Sequence, residues 1–214
     1  PLYSSAASDV YKRQILISTH ILSGKNKTYD TFTKYISSDF RTIKASNPHE
    51  YIEFCWNSYE TKCPKAAKTQ SLNGKVFEAV VATCLYREGI LPMFLQAQVT
   101  FVPNVDFDIV LFKEERRSPI GISIKTSLRE RYKQADLEAV ALKYVHRNAE
   151  NYLISLQSSE VDTVKKKLKD GSLLGLNRII AADTPEFDDL ISELKKMKFI
   201  NPGEVPIITG TLIK

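Results

Sequence analysis

The sequence predicts an α/β domain in which a mixed central sheet is flanked by helices. Three observations carry that prediction. Apolar residues recur at three- and four-residue steps up to Gly89, alternate after Pro92, and return to helical steps beyond residue 127. Three extended stretches follow one another with short loops between them, as in an antiparallel meander. A helical stretch then leads to a further short apolar strand, NYLISL, which makes the connection a crossover, expected to be right-handed.

Taken in order, Phe32, Tyr35, Ile36, Phe40 and Ile43 predict one amphipathic helix starting near Tyr29, and Tyr51, Ile52, Cys55 and Tyr59 a second. Residues 63–73 are polar, contain Pro64 and read as a loop. The clearest helix follows. Ser71 or Asn73 can cap it, Val76, Phe77, Val80, Val81, Cys84 and Leu85 form its apolar stripe, and Gly89 ends it. Residues 94–102, 105–112 (VDFDIVLF) and 120–126 (IGISIKT) read as strands, the last two separated by the charged loop KEERRSP. Residues 128–147 are helical, 151–156 a strand, 161–169 a basic helix, 177–182 a strand and 187–197 a helix, and the tail from Ile207 can add a strand.

The chain has no internal repeat, low-complexity segment or long linker, so one domain is expected over residues 15–214. Within it, residues 15–69 form a helical N-terminal elaboration and residues 70–214 the core. Residues 4–14, SSAASDVYKRQ, resemble a translated sequencing adapter, and residues 1–14 are expected to be a non-native leader. Setting them aside also removes Lys12 and Arg13, which ahead of ILISTHIL imitate an export signal.

At 214 residues, with 43% hydrophobic and 26% charged, the composition excludes a fibrous or disordered chain. The apolar run AVVATCL falls far short of the roughly 18 residues a membrane-spanning helix needs, so no membrane partner is expected. The net charge of +5, or +4 without Asp9, Lys12 and Arg13, admits a polyanionic partner without requiring one. Cys55, Cys63 and Cys84 form no C-x-x-C pair, and His20, His49 and His146 stand at no zinc-finger spacing, which argues against zinc and for a reducing compartment.

The chemistry concentrates in the second and third strands. Asp106 and Asp108 in VDFDIVLF are separated by one position and therefore share a face, as do Ser123 and Lys125 in GISIKTS. A lysine in an otherwise apolar strand is costly without a charge partner, and Asp108 on the neighbouring strand is the natural one.

This pattern resembles the active site of the PD-(D/E)XK nuclease superfamily, the fold of many type II restriction endonucleases. The resemblance runs over an αβββαβ core from about residue 74 to 156 and is densest in SIKTSLRERYKQADLEA. It implies a restriction-endonuclease-like fold in which Asp108 takes the place of the family aspartate, with Asp106 as alternate, and Lys125 that of the family lysine. Glu78, in NGKVFEAV, matches the glutamate many members carry on the leading helix. Ser123 departs from the pattern, standing where most members have Glu or Asp. In some restriction enzymes with Ser here a glutamate on the following helix compensates; Glu138 is the candidate, with Glu130 and Asp136 as rivals. Gln134 resembles a glutamine that some members place beside the site, and Glu130, Gln134 and Glu138 share an i, i+4, i+8 face.

The implied metal set is Asp108, Glu78 and Glu138, with Asp106 in reserve, and the implied cofactor is Mg²⁺, with Mn²⁺ as substitute. Mg²⁺ takes hard oxygen ligands and is content with one or two carboxylates beside waters and phosphate oxygens. Phosphodiester hydrolysis needs that cation to activate water, and a second positive group such as Lys125 to steady the charge that develops. Arg129, Arg131 and Lys133 follow the catalytic strand directly, and Lys143 and Arg147 lie further along the same helix; all five are candidates for DNA phosphates. Lys165, Lys166, Lys167 and Lys169 read as a solvated face. The resemblance thus implies a Mg²⁺-dependent, site-specific double-strand DNA endonuclease, a type II restriction enzyme of the prokaryotic cytoplasm, acting as a homodimer and accompanied by a DNA methyltransferase. Two other readings are a structure-specific repair or junction nuclease and a DNA-binding relative that has lost catalysis.

Overall fold

In a computed structural model of the chain, residues 17–22, 24, 26–156, 159–203 and 208–214 are described. The expected leader at residues 1–14 lies outside them. Helix α1 (Lys27–Tyr35) starts at Asn26, whose side chain accepts from the Tyr29 N–H at 2.7 Å. The apolar pattern runs on to Ile43, but the helix does not. Ser37 Oγ donates to the Asp39 carbonyl and accepts from the Asp39 N–H, and Asp39 in turn accepts from the Arg41 N–H to start a short 3-10 turn, Phe40–Thr42. Short polar side chains here outcompete the helix for the backbone, while Phe40 and Ile43 stay buried.

Helix α2 (Pro48–Lys62) opens on a proline, which suits a first turn. Helix α3 (Gln70–Arg87) is capped by Thr69, whose hydroxyl accepts from the Leu72 N–H at 3.1 Å, and not by Ser71 or Asn73. Asn73 instead accepts from the Tyr59 hydroxyl and ties α3 to α2. At the other end, the Gly89 N–H donates to the Tyr86 carbonyl and the Ile90 N–H to that of Leu85, with Gly89 at φ +72°, a left-handed stop that glycine alone adopts without strain.

The remaining elements are β1 (Met93–Val99), β2 (Phe107–Lys113), β3 (Ser118–Ile124), α4 (Arg131–Val145), β4 (Glu150–Ser155), α5 (Ser159–Lys169), β5 (Arg178–Ala181), α6 (Pro185–Leu194) and β6 (Ile208–Ile213). The sheet order is β5-β4-β3-β2-β1-β6. The β1–β2, β2–β3 and β1–β6 pairs are antiparallel, and β3–β4 and β4–β5 parallel. This is the expected mixed sheet, and α3-β1-β2-β3-α4-β4 is the expected αβββαβ order.

Helices cover both faces. On one, Phe32, Ile52, Phe77, Val80, Phe187 and Leu190 from α1, α2, α3 and α6 pack with Ile109, Leu111, Ile122 and Ile154 in a single cluster that includes the N-terminal helices. On the other, Tyr132, Ala135 and Ala139 of α4 and Val161 and Val164 of α5 meet Leu153 and Ile179, while Leu142 joins Phe94, Val110 and Phe112. Each large side chain so buried contributes about 1.5–3 kcal/mol, enough to hold α3 and α4 on opposite sides of the place where β2 begins and β3 ends.

Candidate active site

The β2–β3 ladder runs from Lys113↔Ser118 to Ile109↔Ile122 and goes no further. Beyond it the strands part, and a side chain takes over the hydrogen bonding: Asp108 Oδ2 accepts from the Ile124 N–H at 2.5 Å and from Lys125 Nζ at 2.9 Å. The lysine is held from its other side. Its N–H donates to the Ile154 carbonyl at 3.0 Å, and its own carbonyl accepts from the buried Ser155 hydroxyl at 2.7 Å. Asp108 and Lys125 are therefore fixed by the sheet itself, with side chains 11% and 19% exposed. Ser123, one residue before Ile124, is buried against β4, where it pairs with Leu153.

Two further carboxylates approach the pair from opposite faces. Glu78, on α3, accepts from Gln96 Nε2 at 3.0 Å. Its carboxyl is pushed up to about 7, first by burial and then by the negative charge of Asp108, against the pull of Lys125, Lys75 and the Gln96 hydrogen bond. Glu138, on α4, accepts from Gln134 Nε2 at 2.7 Å. Burial raises its carboxyl too, Asp108 and Asp106 add to the effect, and the Gln134 hydrogen bond and Lys125 oppose it. Lys125 is the cation common to all three acidic groups, and Lys75 adds its charge at Glu78 alone. The site has more negative charge than its own cations compensate.

The other acidic candidates stand elsewhere. Asp106 is exposed and accepts from Gln98 Nε2 at 2.8 Å. Glu130 is exposed at the start of α4 and pairs with Lys133. Asp136 is buried and accepts from the backbone N–H groups of Leu174, Gly175 and Leu176 at 3.1, 2.8 and 3.0 Å. Its carboxylate is consumed in holding that loop against α4, so neither rival of Glu138 reaches the lysine.

The basic candidates divide as well. Arg129 and Arg131 line a groove of about 310 Å³ with Lys68, Thr69 and Thr126, next to Lys125 in the chain. The loop carrying Arg129 is fastened by Glu160, which accepts from the Leu128 N–H at 2.8 Å and the Ser127 hydroxyl at 3.1 Å. Lys133 is exposed nearby, engaged by Glu130. Lys143 and Arg147 do not adjoin the site. Helix α4 returns antiparallel to β3, so they lie at the opposite end of the sheet, where Lys143 interacts with Asp136 and Glu150. Glu150 pairs with Ile120, roughly 16 Å along β3 from Lys125 at about 3.3 Å per residue.

Reading the sequence missed Gln96, Lys75, Glu160 and Ser155. Gln96 left a signal: FLQAQV places two glutamines at alternate positions of an apolar strand, and Gln96 sits at φ +47° where the β1–β6 register shifts. Glu78, Lys75, Gln96 and Asp108 open onto a cavity of about 620 Å³ that Ile21 and Leu22 also line.

Among the described residues no group of three or more His, Cys, Asp or Glu side chains converges into a metal cage. A hard divalent cation asks for less. Asp108 Oδ1 accepts no hydrogen bond among the described residues, and Glu78 and Glu138 are acidic groups held uncomfortably as anions. This all-oxygen donor set, short of positive charge, suits Mg²⁺ or Mn²⁺ completed by water and phosphate oxygens.

No family model matches the chain, and no curated protein matches it. Among solved structures it is similar to the type IIP restriction endonuclease Kpn2I, with a TM-score of 0.48 and 14% identity over 91% of this chain and 72% of that one. It is also similar to Ecl18kI, solved metal-depleted in complex with uncleaved, modified DNA, with a TM-score of 0.47 and 17% identity over 88% of this chain and 84% of that one.

Proposed function

We propose that the chain is a Mg²⁺-dependent endonuclease that hydrolyses phosphodiester bonds of double-stranded DNA at a fixed sequence, a type II restriction enzyme of the prokaryotic cytoplasm. One observation carries this reading: the Lys125–Asp108 pair stands at the opening between β2 and β3 with Glu78 and Glu138 on either side, an excess of acidic oxygen around one lysine. An ordinary structural ion pair has no use for the two extra carboxyls.

In this reading Asp108 and Glu78 hold Mg²⁺, for which Mn²⁺ can substitute, and Glu138 replaces the carboxylate that Ser123 lacks. Asp106 is left at the margin. The metal supplies polarisation of the phosphoryl oxygen and a lowered pKa for bound water. Lys125, oriented by Asp108, positions the attacking water and offsets the negative charge that grows on the phosphoryl oxygens. Gln134 aims Glu138. Arg129 and Arg131, with Lys133 beside them, hold the phosphates that flank the scissile bond. Cutting both strands takes two such sites, which a two-fold homodimer supplies, and a companion DNA methyltransferase would protect the host.

The test is cleavage of plasmid DNA by the purified protein with Mg²⁺. Discrete fragments are expected, and Asp108→Ala and Lys125→Ala are expected to slow cleavage by at least about 10²–10³-fold. Variants that cut as well as the parent would remove both residues from the mechanism, and cleavage confined to branched DNA would make the protein a structure-specific nuclease.

A further inference from the structure

Strand β1 changes face partway along. Met93 and Leu95 pack on the α3 side of the sheet and Phe94 on the α4 side, but Ala97 and Val99 then join Phe94. Strict alternation would have sent Gln96 to the α4 side, away from Glu78 on α3. The break lies at Gln96 itself, at φ +47°, and it is a bulge against the edge strand: Gln96 and Ala97 together stand opposite Gly210 of β6, between the pairs Leu95↔Thr211 and Gln98↔Thr209. Gly210 is pressed against it. A Cβ there would come within 2.8 Å of the Leu95 carbonyl oxygen and 2.9 Å of the Ala97 side chain, so β6 accepts the bulge through a glycine. The result is one hydrogen bond. Gln96 is exposed, so burial does not hold it in a conformation that favours glycine or asparagine, and among the described residues its side chain bonds only Glu78 Oε2. Glu78 Oε1 accepts no hydrogen bond among those residues. The other two carboxylates divide in the same way: Asp108 Oδ2 is taken by Ile124 and Lys125 and Glu138 Oε1 by Gln134, which leaves Asp108 Oδ1 and Glu138 Oε2.

We propose that the β1 bulge is a positioning device for a divalent cation: Gln96 holds Glu78 Oε2 through its amide and so leaves Oε1 as the oxygen offered to the metal. Gln96 is then a positioning residue, and it acts through Glu78. A glutamate on a helix face has several rotamers, and fixing one of them before the cation arrives removes an ordering cost from binding. The register between Leu95↔Ile109 and Ala97↔Phe107 sets Gln96 opposite Asp108, so the same residue ties the α3 carboxylate to the strand pair that carries Asp108. The edge strand β6 becomes part of the site at one remove, because Gly210 gives the bulge its room. The proposal rests on the metal-binding half of the nuclease reading and not on which substrate is cut.

The test is the binding of Mn²⁺ alone to the whole chain, without DNA, followed by the electron paramagnetic resonance of the free ion. Two variants separate the amide from the backbone. Gln96→Leu keeps a side chain of similar size and loses the donor; Gln96→Gly also loses the donor but adopts the left-handed backbone without strain. Both are expected to bind Mn²⁺ about 10–100-fold more weakly than the parent. A glutamine present only to make the turn would be replaced by glycine with no loss of affinity, so parent-like binding by either variant overturns the proposal. A parent that binds no Mn²⁺ defeats the metal-binding reading itself, and the proposal with it. Parent and variants that bind as expected, in a protein that cuts no DNA, would uphold the positioning role and count against the nuclease reading alone.

Discussion

The sheet carries two lysine–carboxylate pairs, one at each end, and they are unlike where it matters. Lys113 and Glu150 have side chains 13% and 31% exposed, and Lys125 and Asp108 19% and 11%, so burial does not separate them. At the Lys113 end the accounts close. Burial works to raise the Glu150 carboxyl, but hydrogen bonds from Lys113 and the Tyr152 hydroxyl outweigh it, and the group sits below the ordinary range. At the Lys125 end Glu78 and Glu138 crowd a carboxylate that already has its lysine, and both sit above the ordinary range. A satisfied pair is architecture; an overcharged one is what the proposed metal site calls for.

The largest expected effect separates the two pairs by rate. Lys125→Ala should slow single-turnover DNA cleavage by about 10²–10³-fold, whereas Lys113→Ala should leave the rate per folded molecule unchanged. Comparable losses from both would dissolve the distinction.

Stability should run in the opposite sense. Glu150→Gln leaves Lys113 without its anion and should cost about 1–3 kcal/mol in urea unfolding at pH 8. Asp108→Asn keeps an oxygen for the Ile124 N–H and relieves the repulsion on Glu78, so it should cost little or add stability. Equal losses in the two variants would mean that the Asp108 end is no more overcharged than the other.

Titration sharpens the contrast. Glu78 ionises near 4.5 in the unfolded chain and at about 7 in the folded one. Between those values the unfolded chain releases the proton and the native state keeps it, so this group lowers stability progressively as pH rises from 4.5 to 7, and the loss is complete above. Glu78→Gln, neutral throughout, escapes it. Its melting temperature relative to the parent should therefore climb between pH 5 and pH 8 in metal-free buffer. A difference that stays flat across that range would show that Glu78 is not destabilised as an anion.

The order of elements and the Asp108–Lys125 pairing were legible in the sequence because both rest on short-range pattern: a change of period, and two strands joined by a tight loop. What was not legible depends on contacts between distant segments. Glu130, Asp136 and Glu138 are equivalent by spacing. Only the fold reveals that Asp136 is taken by the N–H groups of Leu174, Gly175 and Leu176, far along the chain. Lys143 and Arg147 are close to Lys125 in sequence and remote in space because a crossover helix must return along the strand it follows. The first helix was overextended for a related reason, since Phe40 and Ile43 keep the period through burial after Ser37 and Asp39 have broken the helix.

The smallest and most specific effect concerns the carboxylate that Ser123 lacks. If α4 supplies it, Glu138→Gln should slow cleavage by about tenfold, less than loss of Lys125 because Glu138 reaches the pair from the flank. Ser123 is buried, and continuing the β2–β3 register sets it opposite Asp108, so Ser123→Asp alone places like charges across adjacent strands and should lower stability without raising the rate. In the Glu138→Gln background the same substitution returns a carboxylate to the site and should recover part of the lost rate. Recovery there but not in the parent would show that the two positions supply one group between them. Full activity in Glu138→Gln itself would exclude α4 as its source and leave Asp106 as the next candidate.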